Sequence, residues 1–353
     1  MFGWLRILAI IFFPLPLLYT FIIYLRNKFY DWNWFKSDKL PAPVISVGNI
    51  QLGGTGKTPL VQLLANWLCN QGYQPVILTR GYKRHSQHTV IIDENNRDSL
   101  TVSEVGDEPL LLARNLPGMT IAVDAQRQRA AQEVLKKKLD VIFVLDDGFQ
   151  HRQLKRQLDL VLLDSSRWSN IPLLFPLTSF RDLPSSLRRA QAIILINTSN
   201  DPQKSQEIKR EIFSKWRIPV FFGEHYPLAV KNIMGETSLN FAALKNKKIA
   251  AFCGIAQPIS FFNLLKNLEA QPQWRKIFPD HYAYRQKDVD WLWEKAVASG
   301  VDCILTTQKD AVKIASLKIP SAPQWYFLQI GFEIAEKTEF FTVLKNSIQK
   351  SRK

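Results

Sequence analysis

Gly48-Asn49-Ile50-Gln51-Leu52-Gly53-Gly54-Thr55-Gly56-Lys57-Thr58 closes like a phosphate-binding loop and opens like something else. The general pattern places a glycine five positions before the residue held here by Gly56, and Gln51 stands there instead. The variant used by partition-type ATPases places a lysine just before the paired glycines, and Leu52 stands there. The surroundings are nonetheless those a phosphate loop requires. "VISV" (44–47) reads as a buried strand, and "KTPLVQLLANWL" from Lys57 onward has the apolar spacing of an amphipathic helix. Glycines allow close approach of the backbone, and a helix N-terminus offers free N–H groups and the positive end of its dipole. Lys57 adds a full charge, and Thr58 would place a hydroxyl on Mg²⁺. A chance glycine turn is the plain alternative, and "GGTGKT" between a strand and a helix outweighs it.

Outward from the loop, short apolar runs alternate with helical stretches. "PVILT" (75–79), "TIAV" (120–123), "VIFVL" (141–145), "LVLL" (160–163) and "AIILI" (192–196) read as buried strands, with helices near 57–70, 108–115 and 125–138. That order predicts an α/β fold of the P-loop NTPase kind, a parallel sheet with helices on both faces. The rhythm loosens around Pro227, and a second set follows: "KIAAFCGI" (248–255), helices near 258–269 and 287–299, and "CILTT" (303–307). The expected organisation is an N-terminal segment over 1–36, a phosphate-loop domain over 37–226, a smaller α/β domain over 227–335 and a terminal helix over 336–353.

Composition limits the partners. The 353 residues, 46% hydrophobic and 22% charged, can bury a large core, which excludes a disordered chain. Forty-six Lys plus Arg against 31 Asp plus Glu give a formal charge of +15, which favours anionic partners: nucleic acid, acidic lipid or a phosphorylated substrate. Ile7–Leu25 is uncharged over 19 positions and is flanked by Arg6, Arg26 and Lys28. Its length is marginal for a membrane span, and Pro14 and Pro16 are expected to interrupt a helix there. Tyr30, Trp32 and Trp34 follow it and suit headgroup depth, so the segment reads as a broken hydrophobic element lying in the inner leaflet. The alternative is an apolar helical pair packed on the body of the protein. Cys69, Cys253 and Cys303 have neither the count nor the spacing of a disulfide framework or a zinc site.

Three further clusters carry chemistry. "VIFVLDDGFQH" ends an apolar run in Asp146-Asp147, the form of a Walker B strand whose carboxylate reaches a metal; one carboxylate would serve equally in an Asp-Gly turn. In "VGDEPLLLA" (105–113), Asp107 is either a helix N-cap or a base for an acceptor hydroxyl. His281 in "FPDHYAY" sits beside a carboxylate in what reads as an ordered loop, although a lone histidine is more often structural.

Taken together and in order over 44–313, "VGNIQLGGTGKTPL", "TRGYKR", "VGDEPLLLA", "DDGFQHRQLKR", "SFRDLPSSLRRA", "FCGIAQPISFFNLL", "FPDHYAY" and "TTQKDAVK" resemble the tetraacyldisaccharide 4′-kinase family of lipid A biosynthesis. The family's loop is written GGTGKTP without the earlier glycine, so Gln51 and Leu52 fit it. The resemblance implies a kinase on the cytoplasmic face of a bacterial inner membrane, at its anionic surface. It would move the γ-phosphoryl group of ATP, with Mg²⁺, to the 4′-hydroxyl of a lipid A disaccharide 1-phosphate, with no role for nucleic acid. It further implies that Gly53, Gly54, Thr55, Gly56, Lys57 and Thr58 hold the nucleotide and that Thr58, Asp146, Asp147 and Glu108 form the metal environment. Asp107 would be the base, paired with His281 on a second domain that closes over the sugar, and Arg80, Arg127, Gln150, His151, Arg181 and Asp182 would meet the acceptor. Two departures stand out: Asp182 where a glutamate is usual, and Gln308 where glutamate is common. A deviant-loop ATPase switch is the alternative, weakened by the missing lysine at position 52. A GTPase would need a guanine-reading Lys-x-Asp, and Lys309 directly precedes Asp310. A non-enzymatic binding protein would leave the loop and its carboxylates without purpose. Oligomeric state is open.

Overall fold

A computed structural model of the chain describes residues 14–352 apart from Asn170 and Glu236. In chain order the strands are β1 (Val44–Asn49), β2 (Pro75–Thr79), β3 (Val90–Ile92), β4 (Thr120–Val123), β5 (Ile142–Asp146), β6 (Leu158–Asp164), β7 (Ala192–Ile196), β8 (Val220–Asn232), β9 (Ser238–Leu239), β10 (Ile249–Cys253), β11 (Trp274–Ile277), β12 (Cys303–Thr307) and β13 (Gln324–Ile334). The chain divides into two compact units. The first runs to Arg80, resumes over Ala122–Glu224 and takes in the segment from Glu333; the second joins Gly81–Ile121 to His225–Phe332. The segment Gly81–Ile121, inside the 37–226 stretch expected to form one domain, thus groups with the later part of the chain.

In the first unit the strand order is β8-β7-β6-β1-β5-β2-β4. The pairs β1–β5, β1–β6, β2–β5, β6–β7 and β7–β8 are parallel. All seven residues of β6 and all five of β5 and β7 are buried, so both faces of the sheet are covered, as β-branched and leucine-rich runs without alternation predict. Alternate residues Val161, Leu163, Ile193 and Leu195 pack with Ile208 and Ile212 of the helix Pro202–Trp216. The register Val47↔Asp146 puts the ends of β1 and β5 side by side, so the loop after one and the Asp pair after the other emerge at the same edge. There Gly48 is obligatory, because a Cβ would lie 2.5 Å from the Cβ of Phe149.

Pro14–Asp31 is one uninterrupted helix of 18 residues. Pro14 and Pro16 stand at the start of this described stretch, a place where proline is tolerated because the N–H groups of a first helical turn have no partner within the helix. Positions 1–13, including the start of the apolar run, lie outside the described residues. One face is fastened to the first unit: Asn27 Nδ2 donates to Asp182 Oδ1 (2.9 Å) and Ser186 Oγ (3.1 Å), and Leu174 N donates to Thr20 Oγ1 (3.2 Å). Leu15, Leu18, Phe21 and Ile22 on the other face are each more than half exposed. No helix among the described residues is long and apolar enough to cross a membrane.

In the second unit the order is β11-β10-β12-β13-β8, with β9 antiparallel on β8. β10 alternates between two cores. Ile249, Ala251 and Cys253 join Phe261, Leu265 and Leu305, whereas Ala250 and Phe252 join Val289, Leu292 and Trp325. The helix Asp107–Asn115 meets the helix Gln308–Ile314 through a reciprocal amide pair, Asn115 Nδ2 to Gln308 Oε1 at 2.9 Å and Gln308 Nε2 to Asn115 Oδ1 at 2.6 Å. A glutamate at 308 could accept from Asn115 but not donate back. Cys69, Cys253 and Cys303 are free thiols.

Candidate active site

Gln51 shows why the loop opens unusually. Its side chain is fully buried and bonds both backbone groups of Asp164 at the end of β6: Oε1 accepts from Asp164 N (2.7 Å) and Nε2 donates to Asp164 O (3.1 Å). Leu52 N donates to Ser179 O at 2.7 Å, and Arg181 N to Ile50 O at 2.7 Å, so residues 50–52 are zipped to 179–181. A glycine at 51 would lose this clamp and a lysine at 52 is not needed for it. Replacing Gln51 with leucine is expected to cost about 1–3 kcal/mol, because buried peptide groups lose their partners; urea unfolding of the purified protein measures it.

The loop then turns through Gly53 and Gly56, both left-handed at φ 86° and 65°, and Gly56 caps the helix Lys57–Asn70 without a side chain in the way. Asn49, a residue the sequence did not single out, holds the turn from inside. Its Nδ2 donates to Thr55 Oγ1 (3.0 Å) and Gln51 O (2.8 Å), its Oδ1 accepts from Arg181, and its carbonyl accepts from Gln150 Nε2 (2.8 Å). A single buried asparagine at the end of a strand carries no signal of that role until its partners are seen.

Asp147 follows β5 in the left-handed region at φ 49°, a conformation aspartate tolerates better than most residues. Its carboxylate accepts from Arg181 Nη1 (3.2 Å) and faces Lys57 Nζ (3.4 Å). Burial alone would raise its pKa, but Lys57 and then Arg181 outweigh it and hold the group far below the usual carboxylate range. Asp146 is 4% exposed and accepts from Thr79 Oγ1 at 3.1 Å. An aspartate kept ionised, a second carboxylate beside it and the Thr58 hydroxyl at a helix N-terminus are hard oxygen donors that suit Mg²⁺. Among the described residues no three His, Cys, Asp or Glu side chains are grouped so that they could hold a metal ion by themselves.

Of the residues expected at the acceptor, Arg127 is 6% exposed with Nη1 on Ala125 O (3.0 Å). Burial lowers its pKa, and Asp146 and Asp147 oppose that. Arg80 is exposed at the end of β2. Gln150 ties the turn after β5 to Asn49, and its own carbonyl accepts from Arg26 Nη2 at 2.6 Å. His151 Nε2 lies 3.3 Å from Gln128 Oε1. Burial, then Arg127, Arg156, Arg26 and Arg80, push its pKa down to about 4, so it is neutral at pH 7. Because the unfolded chain binds that proton more readily, stability is full above about pH 6.5 and falls as pH drops towards 4. His151→Gln should flatten the stability profile across that window in chemical denaturation at successive pH values.

Asp182 differs from its companions. It is 1% exposed and its Oδ1 accepts from Asn27 Nδ2, from Ser186 Oγ (2.8 Å) and from Leu183 N (2.8 Å). The shorter carboxylate therefore serves as the clamp for the helix Pro14–Asp31 and faces inward. Its sequence neighbour Arg181 reaches Asp147 and Asn49.

The second unit holds the other set. The cap position of the helix Asp107–Asn115 is Gly106, at φ 95°, so Asp107 is the first helical residue and not the N-cap. The residue is 5% exposed; Oδ1 accepts from Glu108 N (3.0 Å), and Oδ2 meets His281 Nδ1 at 3.1 Å. Burial would raise the Asp107 pKa, but the hydrogen bond to His281 and then the charge of Lys309 leave it lowered. His281 takes a left-handed backbone, φ 54°, and packs edge-on to Tyr82 at 4.9 Å. Both partners lie in the same unit, so no domain closure is needed to pair them. Glu108, expected near the metal, accepts from Lys309 Nζ at 3.1 Å.

A strand, glycine loop and helix with an ionised aspartate against the loop lysine define a nucleotide-binding α/β protein of the phosphate-loop class. The profile of the family described as Tetraacyldisaccharide-1-P 4′-kinase matches residues 8–349. Tetraacyldisaccharide 4′-kinases of Syntrophus aciditrophicus (strain SB) and Aquifex aeolicus (strain VF5) are 34% and 35% identical to the chain, covering 92% and 85% of it and 89% and 88% of themselves. The crystal structure of "apo" form LpxK from Aquifex aeolicus in complex with ATP is similar throughout, with a TM-score of 0.77, 30% identity, and coverage of 97% of this chain and 99% of that one. The chain belongs to the tetraacyldisaccharide-1-P 4′-kinase family.

Proposed function

We propose that the chain transfers the γ-phosphoryl group of ATP to the 4′-hydroxyl of a tetraacylated disaccharide 1-phosphate, giving lipid IVA. The observation that carries the reading is the buried, ionised Asp107 bonded to His281, in a chain whose glycine loop ends in Lys57. A hydroxyl attacking phosphorus must lose its proton, and a carboxylate that stays unprotonated while desolvated is a base suited to take it. Phosphoryl transfer otherwise asks for alignment and charge neutralisation. Lys57 and the loop N–H groups hold the phosphates, Arg181 adds a second cation, and Asp107 accepts the proton. Thr58, Asp146 and Asp147 would hold Mg²⁺, which when bound neutralises phosphate charge. Arg80, Arg127, Gln150 and His151 offer donors to the sugar and phosphate oxygens of the acceptor. A deviant-loop ATPase works through a lysine at the position of Leu52, so that reading is disfavoured. Labelled phosphate from ATP should appear in the glycolipid, far faster than phosphate is released when lipid is omitted. Release independent of lipid, with no labelled lipid, would overturn the assignment.

The acceptor's acyl chains stay in the bilayer, and the helix Pro14–Asp31 supplies a way to meet it there. Leu15, Leu18, Phe21 and Ile22 form an exposed stripe, continued by exposed Trp32, Trp34 and Phe35. With the formal charge of +15, this favours peripheral docking on the anionic cytoplasmic surface of the inner membrane. Replacing Leu18 and Phe21 with glutamate should weaken co-sedimentation with anionic vesicles roughly tenfold or more, with ATP affinity retained.

A further inference from the structure

Lys309 lies in a motif for which the sequence suggested no part in the reaction, yet it is the most heavily engaged cation of the second unit's site. Its Nζ is 3.1 Å from Glu108 Oε1, 3.8 Å from Asp107 Oδ2 and 3.3 Å from His281 Nε2. Only 18% of its side chain is exposed. We propose that Lys309 is a positioning residue of the kinase: its ammonium holds His281 in the neutral tautomer whose Nδ1–H donates to Asp107. The inference rests on reading Asp107 as the base.

The argument is one of donors and acceptors. An ammonium has three N–H donors and no acceptor, so the imidazole nitrogen that faces it at hydrogen-bond distance must offer a lone pair. With Nε2 accepting, the one ring proton of a neutral imidazole is on Nδ1, and Nδ1 is the atom that faces Asp107 Oδ2 at 3.1 Å. The competing acceptor for an Nε2 proton is Asp280 Oδ2, and at 3.9 Å it is beyond hydrogen-bond reach; the Asp280 carboxylate instead takes His281 N at 2.9 Å. Other charged groups around the pair are accounted for. Glu108 anchors Lys309, Lys83 Nζ reaches the carbonyl of His281 (3.4 Å), and Lys313 is turned to Asp310 Oδ1 (2.8 Å). Tyr82 packs against the ring and limits its rotation. In this arrangement Asp107 receives a single ring donor and keeps a lone pair for the acceptor hydroxyl.

The full-length protein labelled with ¹⁵N-histidine tests this directly, with His281 assigned by its loss in His281→Gln. Wild type should show His281 Nε2 unprotonated and Nδ1 protonated at pH 7.5. Lys309→Met should redistribute the two tautomers and lower kcat by roughly 10- to 100-fold with little change in either KM, and Lys309→Arg should recover part of the rate. A protonated Nε2 in the wild type would overturn the proposal even if no variant folds. So would a Lys309→Met enzyme whose kcat is unchanged, or whose kcat falls with the tautomer intact. If Asp107→Ala still transfers phosphate normally, the base assignment fails, whereas the tautomer spectrum still reads the contact with Lys309.

Discussion

Asp107→Ala is expected to lower kcat for glycolipid phosphorylation by about 10²- to 10⁴-fold, the range a positioned general base contributes, while ATP affinity stays close to that of the parent. The split follows from where the residue sits. Asp107 begins a helix of the second unit, and its side chain bonds Glu108 N and His281. The substitution removes a buried carboxylate and leaves His281 its contact with Lys309, so the local structure keeps a partner for the imidazole. Initial rates at saturating lipid, with ATP binding followed by calorimetry, measure both quantities. Loss of ATP binding in proportion to the rate would show that Asp107 belongs to the nucleotide site and would remove it as the base.

Lys57→Met should behave differently, lowering kcat/KM by about 10²- to 10³-fold and weakening ATP binding as well. Lys57 is a cation at a helix N-terminus, 3.4 Å from Asp147 Oδ1, and its charge serves the phosphates in both the ground state and the transition state. Arg181 remains on Asp147 in the variant, so the carboxylate keeps a counter-charge and the fold should hold. Thermal unfolding within a few degrees of the parent, together with the affinity loss, is the expected pair of results. A variant with normal affinity and normal rate would mean that the loop does not hold the triphosphate.

Much of the architecture was legible beforehand. β2, β4, β7 and β12 fall on the residues anticipated, because fully buried parallel strands write themselves as short continuous apolar runs between turn residues. The helix Lys57–Asn70 was readable from its spacing and its glycine cap. β8 and β13 were not, since their burial alternates irregularly and no uniform run marks them. The helical run Pro14–Asp31 was not readable from the apolar stretch alone, because a proline's effect depends on its place in a helix and Pro14 and Pro16 stand at the start of the described run.

What the chain's order of residues determined alone was local: the glycine turn, the lysine and threonine after it, the paired aspartates ending an apolar run, and the family these motifs belong to. Each depends on neighbours a few positions apart, where backbone geometry and charge act directly. Tertiary structure decided which distant groups share a hydrogen bond. Gln51 finds Asp164, Asp182 finds Asn27, Asp107 finds His281, and Lys309 completes the last pair. The first three contacts span more than a hundred positions, and sequence spacing carries no distance over such separations until the sheet order has set which loops emerge together.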